Sequence, residues 1–147
     1  MKKLILLSAL LIFACSYGQT YEDIISIDSK EQFIRIGIEN DYEVITKNDN
    51  SIQLGLEPTK NKNGDILAKG FASYSINNSF ISVGFQFFRN NTIQKSKYDK
   101  IFSFVKNNLE FIEVLADASW YTLDEKRRLG FTIDKDWCYV LLYLSYE

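Results

Sequence analysis

The chain contains no histidine. Without an imidazole there is no Ser-His or Cys-His nucleophile, no histidine-ligated metal and no side chain that ordinarily titrates near neutrality. One proline and seven glycines among 147 residues are too few for a linker-strung array, a collagen-like fibre or a disordered tail. Charge of one sign is scarce as well. Seventeen Lys and Arg stand against nineteen Asp and Glu, a formal net charge of -2. The concentrated positive field that nucleic acid needs is therefore absent. What the chain does have is 46% hydrophobic and 15% aromatic residues, the makings of one domain with its own core.

The longest apolar run stands at the start. Met1-Lys2-Lys3 is a short cationic segment, and Leu4 to Ala14 is an eleven-residue apolar stretch, too short for a helix across a roughly 30 Å hydrocarbon layer. A charged start, an apolar middle and a small-residue exit make a secretory signal peptide over residues 1–18, with Ser16-Tyr17-Gly18 before the cut. An alternative exit is Ile12-Phe13-Ala14-Cys15, which resembles the lipobox of bacterial lipoproteins, with Phe13 where that motif carries a smaller side chain. The resemblance implies a signal over residues 1–14, lipidation of Cys15 and a membrane association through that anchor alone. Either exit predicts an exported protein: periplasmic or secreted in the first case, lipid-anchored in the bacterial envelope in the second. No later run is long enough for a transmembrane helix.

Removal of residues 1–18 takes Lys2 and Lys3, leaving fifteen basic and nineteen acidic side chains, a charge of -4. It also leaves Cys138 without a partner, so the domain 19–147 rests on its core rather than on a disulfide. Cys138 lies inside the apolar run 137–146, where a small buried hydrophobe is expected.

Periodicity gives the element order. Ser29-Lys30-Glu31-Gln32 has capping-box form, and Ile34, Ile38 and Tyr42, with Phe33 beside them, predict the buried face of a first helix. Gly37 inside it costs about 1 kcal/mol relative to Ala, so this helix depends on packing. Alternation predicts strands around Ile52-Leu54-Leu56, over 66–76 and over 80–89, with Asn63-Gly64 as a turn. A second helix is expected from Ser96, with Tyr98, Ile101, Phe102, Val105 and Leu109 as its stripe. Strands over 110–115, 128–133 and 137–146 follow, with a short one at 120–123. The expected class is α+β: an antiparallel sheet with two helices packed on one face. Sliding the chain by 67 residues aligns 29–45 with 96–112 at six identities in seventeen, which suggests a pseudo-repeat α-β-β-β-α-β-β-β.

Candidate chemistry is thin. Ser103-x-x-Lys106 matches a nucleophile motif that needs no histidine, but it falls mid-helix and lacks the motif's companion signatures. Glu110, Glu113, Asp117, Asp124 and Glu125 would supply a hydrolase working through paired carboxylates. Residues 61–65 lack the ligand spacing of a calcium loop and read as a turn. Lys126-Arg127-Arg128, beside two acids, reads as a solvated loop. No cofactor or metal is expected.

Aromatics carry the remaining signal. In 137–146 one face takes Trp137, Tyr139, Leu141 and Tyr143, and the other takes Cys138, Val140, Leu142, Leu144 and Tyr146. Such a strand is either central with both faces covered or an exposed Trp/Tyr surface of the kind found at binding hot spots. The interaction surface expected from sequence is Trp120, Tyr121, Trp137, Tyr139 and Tyr143. It would serve a non-catalytic module that binds a protein, peptide or glycan. The alternatives are the carboxylate hydrolase and a homodimer joined across the last hairpin.

Overall fold

The computed structural model describes residues 20–77 and 79–145. The leader, Cys15 and Tyr146 lie outside the described residues.

A one-turn helix α1 (Tyr21–Ile25) opens the described chain, and Thr20 and Asp23 cap it reciprocally through side chain and backbone. Helix α2 (Lys30–Glu39) follows, with the Ser29 hydroxyl accepting from the Gln32 N–H as the sequence predicts. The Gln32 side chain reaches past the cap residue and accepts from the Asp28 N–H. Its buried face differs from expectation. Phe33, Ile36 and Gly37 face the core, Ile38 is 60% exposed, and Tyr42 already belongs to the next strand. Gly37 explains the shift: a Cβ there would come within 2.2 Å of the Leu54 side chain, so the helix lies against the sheet at the one position that has no side chain.

Strands β1 (Tyr42–Lys47) and β2 (Ser51–Leu56) form a hairpin. A two-stranded ribbon, β3 (Thr59–Lys60) and β4 (Ile66–Leu67), interrupts the meander and carries the Asn63-Gly64 turn, with Gly64 at φ 88°. Strands β5 (Gly70–Ile76) and β6 (Phe80–Phe88) complete the first half. Helix α3 (Thr92–Asn108) begins one turn earlier than expected, because the Asn91 side chain accepts from the N–H groups of Ile93 and Gln94. Its predicted stripe is present: Tyr98, Ile101 and Val105 are buried, and Phe102 and Leu109 pack beside them. Strands β7 (Glu110–Leu115), β8 (Ala118–Thr122), β9 (Arg127–Ile133) and β10 (Trp137–Ser145) follow.

Among the described residues eight strands form one antiparallel sheet in the order β1-β2-β5-β6-β10-β9-β8-β7. The class is α+β, as expected. Among the described residues there are three helices rather than the two expected. The first half holds α1, α2 and four strands of the large sheet, and the second holds α3 and four, so the expected α-β-β-β-α-β-β-β repeat is not seen. The halves join where β6 pairs with β10. Both outer strands carry a bulge, at Ile45 in β1 and at Ile112 in β7, the two residues paired by the 67-residue slide.

Alternation along the strands sends Ile81, Val83, Phe85 and Phe87 of β6 and Cys138, Val140, Leu142 and Leu144 of β10 to one face. Phe33 meets Tyr74 and Phe85 there at ring distances of 5.6 and 6.2 Å, and Tyr98 meets Phe87 and Phe131 at 6.4 and 6.0 Å. Each such buried side chain contributes on the order of 1.5–3 kcal/mol through removal from water. No described helix is long and apolar enough to cross a membrane.

Candidate functional site

The opposite face of the sheet takes no part in this core. Among the described residues ring contacts divide into two sets without a shared member. Around α2 and α3 they involve core residues, whereas on the open face Trp137 lies 5.7 Å from Phe71 and 5.3 Å from Phe88. Tyr143 stacks on Phe80 at 4.7 Å with the planes 29° apart. These two aromatic islands sit toward opposite ends of the β6–β10 pair, where Trp137 faces Phe88 and Ser145 faces Phe80. Between them the cross-strand rows carry Ser73, Gly84 and Leu141, then Ser75, Ser82 and Tyr143, then Gln86 and Tyr139. All the large rings are half-buried by one another. The field between the islands is hydroxyl and amide around Gly84 and Leu141, and on its β9 side the charged Arg128 stands directly opposite Tyr143.

Tyr139 is held in place by its own hydroxyl, which donates to Asp134 Oδ2 at 2.9 Å. Desolvation and that bond push the phenol up to about 12. Asp134 in turn accepts from the backbone N–H groups of Asp136 and Trp137, which hold its carboxyl below the usual range. One acid thus shapes the β9–β10 turn and fixes Tyr139 on the open face. Trp120 reaches the same face from β8, where it lies directly opposite Gly130. Its indole N–H donates to the Leu115 carbonyl at 3.3 Å.

Four of the five residues expected from sequence therefore share one face: Trp120, Trp137, Tyr139 and Tyr143. Tyr121 does not. It points to the helix side, buried among Phe102, Phe111 and Phe131 at ring distances of 6.4, 5.6 and 5.9 Å. Consecutive strand residues face opposite ways, so Trp120 and Tyr121 cannot belong to one surface. The sequence reading missed Phe71, Phe80 and Phe88, which complete the islands. A signal for two of them was present: Phe80 and Phe88 fall in the even register of β6, opposite its buried odd residues.

The other candidates separate. Cys138 is buried and burial raises its thiol pKa, so it stays a protonated core side chain. Ser103 and Lys106 lie on the exposed side of α3, away from its start. Asn61 and Asp65 bond to each other at 2.8 Å across their turn. Glu110 and Glu113 are exposed on β7, and Asp117 sits in the β7–β8 turn. Asp124 and Glu125 line a depression of about 650 Å³ with Asp28, Lys126 and Arg127. There Asp124 accepts from Arg127 Nε at 2.6 Å and from two backbone N–H groups. Desolvation raises its pKa, but these donors outweigh it and the net shift is downward. A carboxyl held ionised in this way is unsuited to the proton-donating role that glycoside hydrolysis requires. Among the described residues no group of three or more His, Cys, Asp or Glu is placed to hold a metal. Compared with protein-family models, curated proteins and solved structures, the chain matches none of them.

Proposed function

We propose that the protein is a non-catalytic binding module of the cell envelope or its exterior, engaging a protein, peptide or glycan through its open sheet face. The observation that carries this reading is the pair of aromatic islands, Phe71-Trp137-Phe88 and Phe80-Tyr143, with uncharged side chains between them and Arg128 at the flank of Tyr143. Interface centres are depleted in charge and enriched in Trp, Tyr and Phe, and rigid rings lose little conformational entropy on contact. The tether between Tyr139 and Asp134 adds preorganisation. Export rests on the leader sequence, residues 1–18, with lipidation of Cys15 as the other exit.

A homodimer joined across the last hairpin would have to meet through the open face at Trp137 and Tyr143, because β10 is paired on both sides. The test is capture from the envelope fraction with the mature chain and with a Tyr139→Ser/Tyr143→Ser variant whose unfolding midpoint is measured alongside. A species retained by the parent and lost by the folded variant supports the reading. Retention of the same species by both, or turnover of a glycan by the purified chain, overturns it.

A further inference from the structure

We propose that the outer strand β7 is a second, separate docking site, which accepts an extended segment whose residues alternate between cationic and apolar. Among the described residues β7 is an end strand of the sheet, paired only with β8. Its outer N–H and C=O groups are thus a template for an added strand. Every residue of β7 is exposed, and the apolar ones are large: Phe111 at 53%, Val114 at 65% and Leu115 at 59%. Globular proteins usually blunt such an edge. Both end strands carry a bulge and charged residues, but β1 exposes Val44 alone among its large apolar residues where β7 exposes Phe111, Ile112, Val114 and Leu115.

Charge selects the occupant. From residue 107 to 125 there are five carboxylates and no Lys or Arg. Register and the bulge at Ile112 place Glu110, Glu113 and Leu115 toward the open face and Phe111 and Val114 toward the helix side. An added strand with cations opposite the two glutamates and aliphatic side chains opposite Phe111 and Val114 satisfies both rows. A second copy of β7 does not. With the faces kept in step, pairing Phe111 with the copy's Val114 sets Glu113 against Glu113. Pairing Phe111 with Phe111 sets Glu110 against Glu113. Like charges directly opposite are destabilising in a sheet. A register centred on Val114 avoids this but leaves only three residues paired per strand.

The test uses the mature chain and two capped hexapeptides, Lys-Val-Lys-Val-Lys-Val and Glu-Val-Glu-Val-Glu-Val, at low salt. The proposal expects the lysine peptide to bind about tenfold more tightly, the scale of two cross-strand ion pairs. It also expects amide shifts and hydrogen-exchange protection confined to 110–115. In a Glu110→Lys/Glu113→Lys variant, altered only at exposed positions, the preference reverses. Equal or absent binding of the two peptides, a preference unmoved by the charge swap, or shifts centred on Trp137 and Tyr143 would each overturn it. So would a neutral-pH dimer of the parent chain paired through β7, seen by sedimentation and exchange. Because the open face and β7 report through different amides, failure of one reading leaves the other standing.

Discussion

The Trp120 ring lies flat over Gly130, its cross-strand neighbour, so closely that a Cβ built on the glycine would meet three ring carbons at 2.9 to 3.0 Å. Glycine here is a seat for an indole. A Gly130→Ala substitution forces the ring off β9 and strains its bond to the Leu115 carbonyl. We expect a loss of about 1–3 kcal/mol, the usual cost of overpacking, read from urea unfolding. A red-shifted Trp emission should accompany it. An unchanged midpoint and spectrum would show that the ring has another resting place.

The β7–β8 turn is strained in a way that is simple to relieve. Ala116 and Asp117 have φ of 50° and 62°, both left-handed, and Leu115 pairs with Ala118 across them. This is a two-residue primed turn, which Asn-Gly fits and alanine does not. Replacing Ala116-Asp117 by Asn-Gly should stabilise the protein by about 1 kcal/mol. Thermal unfolding of the double variant checks this, and a lower Tm would contradict it.

Asp134 and Tyr139 give stability a defined pH dependence at each end. The carboxyl's folded pKa lies below its unfolded value, so its contribution is present above about pH 4 and disappears as pH falls through the folded value. The phenol's folded pKa of about 12 lies above the ordinary 10, so its contribution is present below pH 10 and is lost as pH climbs toward 12. An Asp134→Asn variant should show a shallower loss of stability below pH 4 than the parent, followed by urea midpoints. A parallel pair of curves would remove Asp134 from the account.

Cys138 is fully buried, and burial raises its thiol pKa. In a Cys15→Ser background, the native protein should stay unreactive toward a disulfide reagent at pH 8 for as long as it remains folded, then titrate one thiol in denaturant. Rapid reaction of the native thiol would place Cys138 at a surface instead.

Much of this arrangement was legible from period-two alternation, and the failures have identifiable physics. Both faces of 137–145 were readable because a strand fixes every second side chain without reference to its neighbours. The same rule separates Trp120 from Tyr121, and overlooking it put a core tyrosine on the surface. Helix α2 was misread by its apolar count, since Ile34 and Ile38 outweigh Gly37 on any hydrophobicity scale. The residue that settles which face approaches the sheet has no side chain to score. The exposure of Phe111 and Val114 could not be read locally at all. It follows from β7 being last in the sheet order, a property of how distant strands pair.

The pairing of β6 with β10 also sets a timetable. The middle of the sheet is closed by residues 137–145, the last strand described, against residues 80–88. A chain emerging N-terminus first would hold β6 and β9 bare on their inner sides until those residues arrive. Closure of the sheet thus waits on this one strand, whichever of the flanking elements has formed first. Deleting 137–145 should leave two fragments of sheet with no seam between them.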